Sequence, residues 1–188
     1  LPACAAGRDV DLGQAPPGLS HDEVINGLVA RDILGGRHAV YFTVAGADAP
    51  SPLTTGGHEP FFQYAQALTV GLFGENWVGI RWPSFAFGLL GMAAVYAFVR
   101  RLFDYPTALL SAGWLGISFW PLFYARVGLR AITLPFVAGL FGYAFVRAVG
   151  LGRRRSSASR WPFLAAGLGL GLSLYTYMAA RVLPAIAV

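Results

Sequence analysis

Apolar and polar positions are unevenly distributed along this 188-residue chain. Beyond residue 78, four apolar stretches, at 79–99, 106–124, 131–149 and 161–181, carry hardly any charged side chain away from their ends. Each is close to the length of about 20 residues that a helix needs to cross a bilayer. We therefore predict an all-α, polytopic membrane protein, a single membrane domain in which these stretches form a transmembrane helix bundle.

Residues 1–78 have shorter apolar patterns, which predict a loop with interfacial helices. Ser20, followed three residues later by Glu23, forms a capping-box pattern, and Gly35 stands where the helix is expected to end. A second short apolar stretch covers 61–73, and 38–44 is a candidate extended segment. The first helix carries its apolar residues on one stripe and is too short to span, so it is expected to lie in the interface; the stripe comprises Val24, Ile25, Leu28, Val29 and Ile33.

Composition supports the membrane assignment. Hydrophobic residues make up 56% of the chain and charged residues 12%, and the mean hydropathy is +0.56. An ordinary soluble domain has about a quarter charged residues. The net charge of +5 does not indicate a nucleic-acid partner, because the basic residues are sorted along the chain and do not form one basic face.

The sorting of charge predicts the orientation in the membrane. Eight of the nine acidic residues precede Trp77, and every basic side chain is arginine. If the four spans alternate, seven arginines of the connecting segments fall on one face and Arg126 and Arg130 on the other. Positively charged loops stay in the cytoplasm. Residues 1–78 are therefore predicted to be extracytoplasmic.

Both ends indicate a fragment. The chain begins at Leu1 without a methionine and stops at Val188 within an apolar run, so we expect further segments on both sides. The single cysteine, Cys4, excludes an internal disulfide.

Several short motifs carry a resemblance to a known family. In chain order they are the acidic pair Asp22-Glu23, Gly57-His58-Glu59-Pro60, Leu72-Phe73-Gly74, Arg81-Trp82-Pro83-Ser84, Phe87-Gly88-Leu89-Leu90, Arg100-Arg101-Leu102-Phe103, the segment from Tyr124 to Arg130, and Tyr175-Thr176-Tyr177. Their order and spacing resemble the membrane glycosyltransferases of GT-C architecture, and more narrowly the protein mannosyltransferase and aminoarabinose transferase-like group (glycosyltransferase family 39-like). The resemblance covers residues 17–184.

The resemblance implies an enzyme that moves a sugar from a polyprenyl-phosphate carrier to an extracytoplasmic acceptor, which is a protein, lipid or glycan, with inversion at the anomeric carbon. It also implies the plasma membrane of a bacterium or archaeon. The family's catalytic acid of the external loop matches Asp22, with Glu23 beside it. The corner before the second helix matches His58-Glu59-Pro60, although relatives often have a second proline or a basic residue there.

The chemistry of such a transfer agrees with these residue types. Inverting transfer needs a base for the acceptor proton, which a carboxylate supplies. The leaving phosphate needs positive charge, for which Arg126, Arg130 and Arg181 are candidates, with Glu59 beside them. His58 and Glu59 are also candidate ligands for a divalent metal, and the sequence indicates no other cofactor.

Simpler interpretations stand beside these. Glu23 can also be explained as a helix cap, His58 as a loop residue or a group that supports a ligand, and Arg126 and Arg130 as anchors at the headgroups. Two other functions are a transporter or flippase fragment and a membrane anchor without chemistry. A transporter usually places ionisable groups near the middle of its spans, whereas here the acids gather in one external loop, which favours the enzyme.

Overall fold

The structure is a computed structural model that describes residues 18–38, 42–43, 57–151 and 160–186. Cys4, most of the predicted loop at 39–56 and the arginines at 153–155 lie outside these ranges. The helices and strands in chain order are α1 (His21–Leu34), β1 (Phe42–Thr43), β2 (Gly57–His58), α2 (Pro60–Phe73), α3 (Trp77–Leu102), α4 (Tyr105–Ile117), α5 (Phe119–Arg126), a 3₁₀ turn (Arg130–Ile132), α6 (Thr133–Ala148), α7 (Trp161–Ser173), a second 3₁₀ turn (Met178–Val182) and α8 (Leu183–Ile186).

Helix α1 begins at the predicted capping box. The Ser20 hydroxyl accepts from the Glu23 backbone N–H, and the Glu23 carboxylate accepts from the Ser20 N–H. The helix ends at Gly35, and Gly36 follows with φ +94°, a conformation that favours glycine. The predicted apolar stripe is only partly buried, because Val24 and Leu28 are exposed while Val29 and Ile33 pack against α2 and α3.

The candidate extended segment forms a minimal antiparallel pair. Phe42 lies opposite His58 and Thr43 opposite Gly57. This pairing brings the start of α2 back beside the segment that follows α1. Apart from this pair, the described residues are helical or irregular.

Close backbone contact joins α3 and α6. A Cβ atom added at Gly139 would lie 2.8–2.9 Å from the backbone carbonyl carbon and side chain of Ala94. One at Gly91 would lie 3.3 Å from Pro135 and from the Phe136 backbone. Small residues allow membrane helices to approach in this way. These two helices therefore form the centre of the bundle.

Helix α3 contains Pro83, which removes one backbone donor from the helix. The carbonyl that this donor would have reached belongs to Gly79, and the Thr69 hydroxyl donates to it at 2.7 Å. The Gln66 amide donates to the next carbonyl, that of Ile80, at 2.8 Å. Side chains of α2 thus satisfy the carbonyls near the proline, and they attach α2 to the first turns of α3.

The predicted span at 106–124 contains two helices. Helices α4 and α5 meet at Ser118 with a bend of 57°. Pro121, near the start of α5, has no N–H for the Ile117 carbonyl and would clash with it in a continuous helix, so α4 ends at Ile117. The Ser118 hydroxyl donates to the Trp114 carbonyl at 2.6 Å. Within the described residues, α3 and the helical segment 130–148 are long and apolar enough to cross a membrane, and the bent pair is a third candidate.

The predicted span at 161–181 is divided as well. Helix α7 ends at Ser173, and the chain continues through a turn into the second 3₁₀ segment. The Tyr175 carbonyl accepts from the Phe61 N–H at 3.2 Å, so this carbonyl serves the start of α2 and not a continued α7. Helix α7 is a shorter apolar helix of 13 residues.

The connections place two groups of polar residues at opposite ends of α3. Arg81 lies near its start and Arg101 at its end, about 30 Å apart at 1.5 Å per residue. Large apolar side chains on the outer helices, such as Leu110, Trp114, Trp161 and Leu168, are exposed and available to lipid. The protein is an all-α integral membrane protein, as the hydropathy pattern predicted.

Candidate active site

A buried ion pair joins α1 to α3. Arg81 Nε donates to Glu23 Oε1 at 2.6 Å, and Nη2 donates to Oε2 at 3.2 Å. Both side chains have 0% exposure. Nη2 also donates to the Gly18 carbonyl at 2.6 Å. Such a pair is stable only when further hydrogen bonds satisfy its remaining atoms, and the next contacts supply them.

The Glu23 carboxylate also holds the segment between α5 and α6. The Gly128 N–H donates to Oε1 at 3.0 Å, beside the Ser20 N–H on Oε2. A side chain at 128 would lie 3.1 Å from Ile80 and 3.4 Å from Glu23, so only glycine brings this backbone close enough without displacing them. Glu23 therefore ties three separate parts of the chain together.

These contacts keep Glu23 ionised. Burial raises the pKa of the carboxyl, but the Arg81 hydrogen bond and charge and the N–H donors of Ser20 and Gly128 act in the opposite direction and hold the pKa below its usual value. The side chain is fully occupied by its partners. Its geometry suits a positioning role, fixing the start of α1 where its neighbour Asp22 lies.

A chain of amides continues this network. The Asn26 amide donates to the Gly128 carbonyl at 2.8 Å, and the Gln63 amide donates to Asn26 Oδ1 at 2.8 Å. All three residues are buried. The network links α1, α2 and the segment before α6 by hydrogen bonds whose partners lie far apart in the sequence, which fixes the walls of the adjoining cavity.

That cavity has a volume of about 230 Å³ and combines a carboxylate, an arginine and two tyrosines. Asp22 lies at its edge, with a side chain that is 70% exposed. The lining residues are Asp22, Asn26, Tyr124, Leu129, Arg130, Ala131 and Tyr177. A carboxylate accessible to water and an arginine thus border the same small space.

Glu59 lies between two arginines. Its carboxylate is 3.5 Å from Arg130 Nε and 3.7 Å from Arg181 Nη2, and its side chain is only 5% exposed. Although it precedes α2, it makes no capping hydrogen bond there. Arg130 Nη1 is buried and has no hydrogen-bond partner among the described residues. A buried donor without an acceptor is costly, so this position is suited to an anionic ligand.

The three arginines that the sequence predicts to bind phosphate do not all lie at the cavity. Arg130 lines the cavity, and Arg181 joins it through Glu59. Arg126 is half-buried in the last turn of α5 and is not among the residues that line the cavity. The geometry therefore brings together two of the three arginines.

The predicted metal site fits the described surroundings of Glu59 poorly. Two guanidinium groups beside this carboxylate repel a cation. No cluster of three potential ligands occurs among the described residues, and the side chain of His58 lies outside them. Metal binding by His58 and Glu59 stays a prediction, and the chemistry below uses none.

Sequence reasoning did not assign Arg81, Asn26, Gln63, Tyr124 or Tyr177 to the site. A signal existed for Arg81, because a single charge near the start of an otherwise apolar span is expensive and calls for a partner. Asn26 and Gln63 were polar positions on helices with apolar faces. Their partners are distant in sequence, so no local pattern could pair them.

Comparison with known proteins agrees with the fold. Residues 57–188 match the family of dolichyl-phosphate-mannose-protein mannosyltransferases. No curated protein and no solved structure matches the chain. The matched segment contains Glu59, Arg81, Gly128, Arg130 and Arg181, whereas α1 with Asp22 and Glu23 precedes it.

The match extends over more than half of the chain and over every helix from α2 onward. It agrees with the apolar helix bundle. This chain belongs to the dolichyl-phosphate-mannose-protein mannosyltransferase family, and is a membrane glycosyltransferase of GT-C type.

Proposed function

We propose that this protein transfers a sugar, with mannose as the first candidate, from a polyprenyl-phosphate carrier to a hydroxyl group of an extracytoplasmic acceptor, with inversion. The observation that carries the proposal is the cavity in which the exposed Asp22 carboxylate faces Arg130, whose buried Nη1 has no partner in the described part of the chain. The family supplies the class of donor.

In the proposed step, the acceptor oxygen attacks the anomeric carbon. The new carbon–oxygen bond forms while the bond to the carrier phosphate breaks, and the phosphate leaves with the bonding electrons. Asp22 takes the proton of the acceptor hydroxyl as general base. Arg130 and Arg181 stabilise the charge that develops on the phosphate, because arginine presents paired donors to phosphate oxygens.

Glu59 supports this role by holding both arginines. Glu59 Oε2 pairs with Nε of Arg130 by charge at 3.5 Å without a hydrogen bond. Nη1 of Arg130 has no hydrogen-bond partner among the described residues, so it stays available to a phosphate. Glu23 and Arg81 act on the other side of the cavity, where they fix the start of α1 and thereby Asp22. Glu23 is assigned a positioning role in this scheme because its oxygens are already bonded.

The experiment that tests the base is Asp22→Asn in full-length protein, assayed in membranes with a labelled polyprenyl-phosphate mannose donor. Asparagine keeps the shape and can still favour a helix start. General-base catalysis is worth about a hundredfold to ten-thousandfold, so transfer should fall by at least about a hundredfold. Asp32→Asn is the matched control, because it removes the same charge from an exposed site on the same helix.

An Asp22→Asn protein that is normally expressed and keeps more than about a tenth of wild-type transfer contradicts the assignment, since that loss is too small for removal of the base. If the wild type transfers the labelled sugar and the Asp22→Asn and Asp32→Asn proteins transfer it equally well, the protein is a glycosyltransferase but Asp22 is not its base.

The proposed side of the membrane rests on the arginines of the connecting segments, seven on one face against two on the other. In a protein with Cys4 replaced by alanine, cysteine introduced at Ser51 should react with an impermeant reagent added outside the cell. Cysteine at Ser157 should react only after the membrane is opened. Labelling of Ser157 alone from outside would place the site in the cytoplasm.

A transporter is less well supported. Transport proteins keep ionisable groups available near the middle of their spans. In α3, Arg81 is the charged residue that lies outside the C-terminal turn. It is near the start of the helix, and it is bound to Glu23. The charges of the site end are held in place beside a small cavity, which suits group transfer.

A further inference from the structure

A second cavity lies at the opposite end of α3, far from the active site. It is larger, about 750 Å³, and is bordered by Ala97, Arg100, Arg101, Asp104, Tyr105 and Tyr143 among others. These residues come from the end of α3, the start of α4 and the middle of α6. Its volume lies within the range of about 300–1,000 Å³ that is common for small-molecule sites.

The arginines of this cavity lack carboxylate partners. Within the described ranges of the chain, neither Arg100 nor Arg101 forms an ion pair, and Arg101 Nε is buried without a hydrogen-bond partner. A buried guanidinium donor that water cannot reach needs an acceptor. Two arginines thus line this cavity without a carboxylate partner among the described residues, and one of them has a guanidinium nitrogen whose bonding capacity is unused.

Tyrosine rings hold the neighbouring guanidinium groups. Arg100 lies over the Tyr105 ring at 5.8 Å, and Arg147 lies over the Tyr143 ring at 5.9 Å. Stacking of this kind restrains the plane of a guanidinium while leaving its edge donors available. The rim is thus prepared for a group with several acceptor oxygens.

The charge of the lining selects among phosphate groups. Among the described lining residues, Arg100 and Arg101 contribute two positive charges and Asp104 one negative charge, so one positive charge remains. Asp104 also occupies the Thr107 N–H as the cap of α4, which removes that donor from a ligand. A phosphodiester carries one negative charge, whereas a phosphate monoester carries close to two at neutral pH. The lining matches the diester.

We propose that this cavity binds the phosphodiester group of an anionic ligand, with a membrane phospholipid headgroup as the expected source. Arg100 and Arg101 form the last turn of a helix long enough to cross the membrane, which places the cavity at the level of the headgroups. Basic pockets between membrane helices bind anionic headgroups elsewhere by the same physics. The site is separate from the transfer site and does not depend on the proposed function.

Native mass spectrometry of the full-length protein in detergent tests the proposal with phosphatidylglycerol as the anionic probe. Phosphatidylcholine is the comparison, because its phosphodiester charge is cancelled by the quaternary ammonium of the same headgroup. Arg101→Gln should lower the apparent affinity for phosphatidylglycerol about tenfold, the amount expected for one charge-assisted contact. Arg160→Gln removes a charge that is not among the residues bordering the cavity, and should keep wild-type binding. Arg101→Lys, which keeps the charge but loses the fork, should fall between them.

A soluble diester, glycerophosphoglycerol, distinguishes a lipid headgroup from a free phosphodiester as the ligand. Competition by millimolar glycerophosphoglycerol would assign the site to a free phosphodiester, and failure to compete would assign it to the lipid. Equal binding of phosphatidylglycerol by the Arg101→Gln and Arg160→Gln proteins, or equal binding of the two lipids by the wild type, overturns the proposal. Thermal unfolding without lipid shows whether each variant is folded, and Arg101→Lys decides the question if Arg101→Gln is not.

Discussion

The two ends of α3 use arginine in opposite ways. At the site end, Arg81 is bound to Glu23, and Arg130 and Arg181 flank Glu59. At the other end, Arg100 stacks on a tyrosine, and Arg101 has no carboxylate partner among the described residues. A carboxylate fixes the position of an arginine and uses part of its charge, whereas a tyrosine ring leaves the charge available. The first arrangement suits positioning in a reaction, and the second suits binding an anion from the surroundings.

The largest effect should come from breaking the buried pair. Arg81→Met leaves the Glu23 carboxylate buried without its counter-charge, and removal of one partner from such a pair costs about 3–5 kcal/mol. Thermal unfolding of the full-length protein in detergent measures this loss. Arg100→Met at the other end should change stability by at most about 1 kcal/mol, because that side chain is exposed and its contact in the described structure is the Tyr105 ring and not a carboxylate. Equal effects of the two changes would contradict the comparison.

A smaller effect is expected on the binding of the carrier. Arg130→Lys keeps the positive charge but loses the planar fork, so the KM for the polyprenyl-phosphate donor should rise about tenfold, which corresponds to the loss of one charge-assisted bond. Arg31→Lys is the control, since Arg31 pairs with Glu75 at 3.6 Å on an exposed surface of the same half of the molecule. An unchanged KM in Arg130→Lys would show that this arginine has a structural role and does not bind the donor.

The smallest expected effect is on the pH dependence of stability. Because the pKa of Glu23 is lower in the folded protein than its ordinary value of 4.5, the unfolded state takes up this proton first as the pH falls. The stability from Glu23 is fully present above about pH 4.5 and is lost as the pH falls through the folded-state pKa. Unfolding temperatures measured between neutral pH and pH 3 should decrease more steeply in the wild type than in Glu23→Gln. Parallel curves would show that another group controls the acid transition.

Local signals in the sequence predicted part of this arrangement. The capping box of Ser20 and Glu23 involves residues three apart, so it could be recognised without the fold, and the end of α1 at Gly35 follows from backbone preference. The partner of Glu23 could not be predicted in this way, because Arg81 is 58 residues further along the chain. Arg81 was visible only as an isolated charge within an apolar stretch.

The helix boundaries were also predicted only in part. Hydropathy located every long apolar segment, since an apolar surface is a property of composition over many residues. It did not indicate the break at Ser118, which follows from Pro121, or the end of α7 at Ser173, because hydropathy averaged over many residues does not report where a helix is interrupted. The cavity that contains Asp22 and Arg130 depends on three segments meeting at Gly128, and no pattern along one segment describes it.

The attachment of α2 to α3 near Pro83 has a consequence for depth in the membrane. Thr69 and Gln66 hold two successive carbonyls of α3, so moving α2 along α3 by one residue would break both bonds, at a cost of about 1–3 kcal/mol. Glu59 immediately precedes α2 and contacts both arginines. A proline in one helix and two polar side chains in another thereby fix the position of these arginines along α3. In the proposed function, that position sets how deep a lipid-borne phosphate must sit to meet them.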